Sequence, residues 1–95
     1  MSAYWIAIYK NLNKPEDLKA YAEKATPAIK KHNGKILVRG GIAETIEGES
    51  SPRTVIIEFP SVGDALNCYH SDEYQSAKRS VKGKFNRHCQ IVEGA

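Results

Sequence analysis

The chain has little of what usually builds a recognisable active site. Its 95 residues hold two cysteines, one tryptophan, one methionine and four prolines. Two cysteines make no disulfide framework, and a reduced intracellular protein is the simpler expectation. No apolar run approaches the ~18 residues of a membrane span. No N-terminal stretch joins a basic start, an apolar run and a small-residue cleavage site, so the cytoplasm is the expected compartment. There is no Asn-x-Ser/Thr sequon and no Gly-x-Ser-x-Gly elbow. Gly34, Gly40 and Gly41 lack the spacing of a phosphate loop or a dinucleotide fingerprint and read as turn or bulge residues. Charge of either sign is not in strong excess, at 14 − 11 = +3. Lys78, Arg79, Lys82, Lys84 and Arg87 form the densest basic group. Without interleaved aromatics it reads as a solvated face, so nucleic acid is not an expected partner.

What remains is ordinary for a globular protein, at 41% hydrophobic and 26% charged. The length suits one domain over residues 1–95. Ala3 to Tyr9 is short, apolar and aromatic-rich, and predicts a strand. Asn13, Pro15 and Glu16 follow as a cap, a first-turn proline and a capping-box acid. Leu18, Tyr21, Ala22, Ala25 and Ile29 recur at helical spacing. Pro27 removes one backbone hydrogen bond and predicts a bend. Asn33 and Gly34 end the helix, since both tolerate a left-handed backbone. Lys35 to Arg39 predicts a second strand. Gly40-Gly41 interrupts it as a bulge or close approach, and the strand resumes from Ile42 to Ile46. Gly48 to Pro52 is turn chemistry, and Thr54 to Phe59 a third strand. Ser61 with Asp64 opens another helix. Ser71, followed by Asp72 and Glu73, recaps it, and it runs on toward Val81. His88 to Glu93 is the last strand.

The order β-α-β-β-α-β is the ferredoxin-like arrangement, an α+β fold with two helices on one face of a four-stranded antiparallel sheet. The other face needs a cover. In the first strand Tyr4, Ile6 and Ile8 oppose Trp5, Ala7 and Tyr9. In the third, Val55, Ile57 and Phe59 oppose Thr54, Ile56 and Glu58. A sheet with one wet face alternates more cleanly than this. The simplest cover for the second apolar face is another copy, so a homodimer through the sheet face is predicted.

Candidate chemistry is sparse. Cys68, His70, His88 and Cys89 resemble a zinc set in composition only. Two residues apart on a helix, Cys68 and His70 diverge, and His88 and Cys89 point to opposite faces of a strand, so no metal is expected. Cys68 lies mid-helix among apolar neighbours and reads as a packed small hydrophobe. Arg39, beside Gly40 and Gly41, suits a bidentate pair with a carboxylate, or else is a surface arginine beside a bulge. Glu58 in an apolar strand is either a proton-transfer group with a raised pKa or half of an ion pair with Arg39 or Arg53. His32 at a helix C-terminus is either a dipole-stabilising imidazole or a catalytic one. Tyr69 and Tyr74 either pack with satisfied hydroxyls or line a ligand.

Several ordered strings resemble the family catalogued as domain of unknown function 1330. They begin with Thr26-Pro-Ala-Ile-Lys-Lys-His-Asn-Gly-Lys-Ile-Leu-Val-Arg-Gly-Gly41. Glu44, Glu47-Gly48, Arg53 and Glu58-Phe-Pro-Ser61 follow. Tyr69-His-Ser-Asp-Glu-Tyr-Gln75 and Ile91-Val-Glu-Gly94 complete the match, which covers nearly the whole chain. The resemblance implies a dimeric α/β-barrel, in which a ferredoxin-like sheet packs on its twin. It implies no single activity. The wider superfamily includes cofactor-independent monooxygenases, haem-degrading enzymes, lactone isomerases and ligand-sensing modules. Its pattern maps onto His32, Arg39, Gly40, Gly41, Arg53, Glu58, Tyr69, Ser71 and Tyr74. Asn33 departs from it, where the family more often shows glycine, and Val81 to Arg87 matches loosely.

Two functions are therefore expected in competition. One is a cofactor-independent enzyme acting on a small organic acid or phenolic metabolite. Arg39 holds the anion, His32 or Glu58 moves a proton, and Gly40, Gly41, Arg53, Tyr69, Ser71 and Tyr74 form the pocket. The other is a non-catalytic dimeric module that binds a small ligand or serves in stress.

Overall fold

The computed structural model describes residues 1–12 and 14–95. Strand β1 spans Ala3–Leu12, helix α1 Pro15–Lys31, β2 Lys35–Arg39 and β3 Arg53–Phe59. Helix α2 then spans Val62–His70, α3 Asp72–Arg79 and β4 Phe85–Glu93. The four strands form one sheet in the order β2-β3-β1-β4, with every neighbouring pair antiparallel. This is the expected ferredoxin-like α+β arrangement, with the second helix divided in two.

Each helix end has a local cause. Pro15 and the acidic pair Glu16 and Asp17 occupy the first turn of α1, where a missing N–H is harmless and negative charge is favoured. The cap position itself is Lys14, which makes no side-chain cap bond. The expected cap, Asn13, lies outside the described residues. Pro27 sits within α1, which continues to Lys31. At the far end the Asn33 N–H donates to Lys30 O (3.0 Å) and the Gly34 N–H to Ile29 O (2.8 Å). Asn33 takes the left-handed conformation (φ 64) these paired bonds require. That φ is why glycine is common at such a position, and asparagine is its usual substitute. Gly34 has a different reason to be glycine. A Cβ there would stand 2.6 Å from Ile29 Cγ2 and 2.9 Å from the Phe59 ring.

Ser71 makes the break between α2 and α3. Its hydroxyl donates to Cys68 O (2.7 Å), closing α2, and accepts from the Tyr74 N–H (3.2 Å), opening α3. Ser61 caps α2 in the same way, accepting from the Asp64 N–H (3.1 Å). On an unbroken helix, Tyr69 and Tyr74 would project about 140° apart, at ~100° per residue. With the break, both rings reach Trp5, at centroid distances of 5.7 and 4.9 Å, and stand 5.5 Å from each other.

The sheet's helix-facing side is the core. Trp5, Ala7 and Tyr9 of β1 are buried there with Ile57 and Phe59, beneath Ala25, Ala28 and Ile29 of α1 and Ala65, Cys68, Tyr74 and Ala77 of α2 and α3. On the opposite side Tyr4, Ile6 and Ile56 are only half-buried, and Ile8 and Val92 are exposed.

Two strand expectations need correction. No strand resumes over Ile42 to Ile46. That segment runs irregularly, and Ile42 and Ile46 are 107% and 90% exposed, touching no core that would fix a pleat. The irregularity in the β2–β3 pairing lies between Ile36 and Val38 rather than at the glycines. Strand β4 begins at Phe85, three residues before the expected His88.

Candidate functional site

Antiparallel pairing sets three side chains in one row on the helix-facing side. Tyr9 of β1 lies opposite Arg87 of β4 on one flank and opposite Arg53 of β3 on the other. The adjacent row places Arg39 of β2 opposite Val55. Three guanidinium groups thus gather at one end of a face that is otherwise apolar.

Arg87 is the centre of this group. Its Nη2 donates to the Tyr74 hydroxyl (2.5 Å), and its Nη1 to the hydroxyls of Tyr9 and Tyr21 (3.3 Å each). The Tyr21 and Tyr74 oxygens are 2.5 Å apart and share a hydrogen bond. The guanidinium also lies 5.4 to 5.9 Å from the ring centroids of Tyr21, Tyr9 and Phe85, within cation–π range.

Counting donors shows what this cluster wants. A guanidinium has only donors, and each phenol brings one hydrogen. One phenolic hydrogen is used between Tyr21 and Tyr74. The other two, that of Tyr9 included, have no protein acceptor among the described residues. No carboxylate pairs with Arg87 there either. The described residues contain one ion pair, Lys31 with Glu73, on the exposed faces of α1 and α3. The cluster is rich in donors and positive charge and is chemically fitted to an oxyanion.

Burial holds the phenols in their neutral form. It raises the pKa of Tyr74 and of Tyr21 against the opposing pull of Arg87. Burial also works against the Arg87 charge, but the surrounding phenolic oxygens outweigh it and hold the guanidinium above its ordinary range. These two tyrosines therefore keep their protons at neutral pH and act as neutral hydrogen-bonding groups, not as phenolate bases.

Arg87 and Trp5 stand between two spaces. A groove of about 1030 Å³ runs between β4 and the α2–α3 pair. Trp5, Leu66, Val81, Phe85 and Ile91 supply apolar lining, and Lys78, Arg79 and Lys82 add positive charge with no carboxylate. Lys78 also donates to the Tyr69 hydroxyl (2.8 Å) over that ring. A chamber of about 60 Å³ lies beneath α1, lined by Arg39, Arg53 and Arg87 among apolar and aromatic residues, again with no carboxylate.

The residues singled out in the sequence divide between these places. Arg39 and Arg53 line the chamber, Tyr69 lines the groove and Tyr74 belongs to the Arg87 cluster. Gly40, at φ 66, is close to the Arg53 side chain, and Gly41 has open space around it. Ser71 works through the backbone, as the α2–α3 cap. His32 is the α1 C-cap, with Nδ1 2.9 Å from Ala28 O. Glu58 lies on the opposite face of the sheet, where its only side-chain hydrogen bond is from the Tyr4 hydroxyl (3.4 Å). It makes no ion pair with Arg39 or Arg53. The structure therefore does not bring His32 or Glu58 to the arginines. Cys68 is fully buried, and desolvation pushes its thiol up to about 11. Among the described residues no three His, Cys, Asp or Glu side chains converge.

Tyr9, Tyr21 and Arg87 were not singled out. Tyr9 and Tyr21 sit in apolar patterns and read as core, and Arg87 sits in a basic run and reads as solvated surface. The usable signal was the alternation Phe85, Arg87, Cys89, Ile91. Read from Phe85, it sets an arginine on the inward side of a strand.

The fold defines an α+β protein of the ferredoxin-like class, with open space between helices and sheet. The chain belongs to the family described as Domain of unknown function (DUF1330), which it matches over residues 2–95. No curated protein sequence matches it. Among solved structures it is similar to a protein of unknown function from Rhodopseudomonas palustris. That match has 16% identity and a TM-score of 0.78, over 99% of this chain and 82% of that one. It is also similar to SnoaB, a cofactor-independent oxygenase from Streptomyces nogalater. Here identity is 5% and the TM-score 0.68, over 99% of this chain and 93% of that one. A dimeric protein of unknown function and ferredoxin-like fold from Bacteroides fragilis matches at 17% identity and a TM-score of 0.59, over 98% and 96%. At these identities the likeness is one of fold.

Proposed function

We propose that this protein is a cofactor-independent enzyme acting on a small organic acid or phenolic metabolite held in the groove between β4 and the α2–α3 pair. The carrying observation is Arg87, a half-buried guanidinium with three phenol neighbours and no carboxylate among the described residues. The apolar body of the ligand lies along Leu66, Val81, Phe85 and Ile91, and its anionic oxygen meets Arg87, whose guanidinium is held by the buried hydroxyls of Tyr9, Tyr21 and Tyr74 behind it. Donors fixed in a dry site stabilise negative charge that develops on such an oxygen. Tyr21 and Tyr74 position Arg87 through their hydroxyls, and Tyr69 lines the wall. His32 and Glu58 take no part in this reading, being distant from the cluster in the fold. The similarity to a cofactor-independent oxygenase supports it at the level of fold.

The protein works as a homodimer in this proposal. The half-buried row Tyr4, Ile6 and Ile56, with exposed Ile8 and Val92, is a sheet face that a second copy covers. A neighbour of the same fold is dimeric.

A binding module without chemistry is the competing reading. The raised pKa values of Tyr21, Tyr74 and Cys68 favour it, because none of these groups accepts a proton near neutrality. A thermal-shift panel of small carboxylates, phenols and quinones tests the shared part. A ligand bound only by the folded state raises the melting temperature, and Arg87→Met is expected to abolish that rise. An equal rise in Arg87→Met would overturn the assignment. Turnover assays on the compounds that bind then separate the readings: product above the buffer rate makes it an enzyme, and none makes it a module.

A further inference from the structure

The chamber beneath α1 is separate from the groove in size and lining. At about 60 Å³ it holds a few waters or one group of three or four heavy atoms. The body of an aromatic acid does not fit, since an engineered cavity that admits benzene is ~150 Å³. Three arginines line it, and no acidic residue does. Arg53 is the most constrained of them. Its Nε is buried and has no hydrogen-bond partner. Leaving a buried donor of a charged group unsatisfied is costly, so such groups are normally paired.

Gly40 explains how Arg53 comes to sit there. The glycine is left-handed (φ +66), and a Cβ on it would stand 2.8 Å from Arg53 Cζ and overlap the guanidinium. The glycine therefore makes room for the arginine's planar head at the chamber wall. Arg39, one cross-strand row away and exposed, lies at the chamber's edge.

We infer that this chamber is a binding site for a small planar oxyanion of the carboxylate kind, of formate, bicarbonate or nitrate size, held by Arg53 and Arg39. A planar oxyanion matches the planar guanidinium group of an arginine through two parallel hydrogen bonds, and Arg53 and Arg39 both line the chamber. It also neutralises charge in a space that has cations alone. This site takes a different ligand from the groove, so it stands or falls independently of the proposed reaction.

The same chemistry has two sources, a free anion or the carboxylate end of a groove ligand. Thermal-shift titrations with sodium formate and sodium nitrate, each against sodium chloride at equal ionic strength, read the free anion directly. Formate and nitrate are expected to raise the melting temperature by about 5 °C or more at tenfold their Kd, and chloride to do markedly less. Arg53→Gln is expected to lose the response, and Gly40→Ala to weaken it by displacing the guanidinium. Arg39→Gln provides a second loss should Arg53→Gln fail to fold. Leu66→Trp, which narrows the groove, is expected to keep the formate response. Equal stabilisation by chloride, or a formate response that survives Arg53→Gln and Arg39→Gln, overturns the site. A formate response that Leu66→Trp abolishes assigns the anion to the groove and overturns it equally.

Discussion

The two faces of the sheet are built from the same strands and solve different problems. On the helix side Trp5, Ala7 and Tyr9 are buried, and every large ring has aromatic neighbours at defined angles. Polar groups enter that side as the cluster around Arg87 and, at the chamber, as the side chains of Arg53 and Arg39. On the other side Tyr4, Ile6, Ile8, Ile56 and Val92 have similar apolar content, with no element packed over them. Hydrophobicity alone does not distinguish the two sides. What separates them is closure: one is covered by its own helices around a charge, and the other sets Tyr4, Ile6, Ile8, Ile56 and Val92 beside Thr54, Glu58, His88 and Gln90 on an open face suited to association.

Substitutions on the two faces should therefore fail in different ways. Trp5→Ala removes the ring that Phe59, Tyr69 and Tyr74 pack against. It is expected to destabilise the fold by about 3–5 kcal/mol in denaturant unfolding. Ile6→Glu, one residue along, is expected to leave each protomer folded and convert the dimer to a monomer in sedimentation. A folded dimer after Ile6→Glu would mean that the open face is not the interface.

Alkaline pH strains the closed face. Burial raises the Cys68 thiol from 9.0 to about 11, so the folded state keeps this proton longer than the unfolded chain does. The stability it contributes is whole below pH 9 and is lost as pH rises toward 11, to an amount on the order of 2 kcal/mol. Tyr21 and Tyr74, raised above 10.0 by burial, add a loss that begins above pH 10. Melting temperature is expected to fall through this range, and Cys68→Ala to flatten its lower part. A Cys68→Ala profile as steep as the wild type would remove the thiol from the account. Ser71→Ala gives the smallest effect, about 1 kcal/mol for a lost helix cap. Its more telling sign is the near-ultraviolet circular dichroism of Tyr69 and Tyr74, which the break holds on Trp5. An unchanged aromatic signal would show that Ser71 does not set their packing.

The ferredoxin-like order was legible because strand alternation, helix periodicity and the caps at Ser61 and Ser71 all agree. The cap at Asn33 was legible for the same reason. The stretch from Ile42 to Ile46 misled because its apolar residues imitate a strand while packing against nothing. The site was legible in part. Arg39 stands out beside the glycines, Arg53 through the family pattern, and Tyr74 beside a helix break. Arg87 did not, because it sits in a basic run and its meaning depends on where β4 begins. Three residues of boundary error hid the phase that turns its side chain inward. Tyr9 and Tyr21 look like core residues, and they are; only the fold brings their hydroxyls to one guanidinium.

Trp5 is the chain's only tryptophan, and it lines both the groove and the chamber. Its indole stacks on Phe59 and meets Tyr69 and Tyr74 at close range. The protein thus has its one indole fluorophore in the wall that the two spaces share. Its emission colour and quenching are expected to respond to an occupant on either side, so unlabelled protein can report both bindings through a single optical channel.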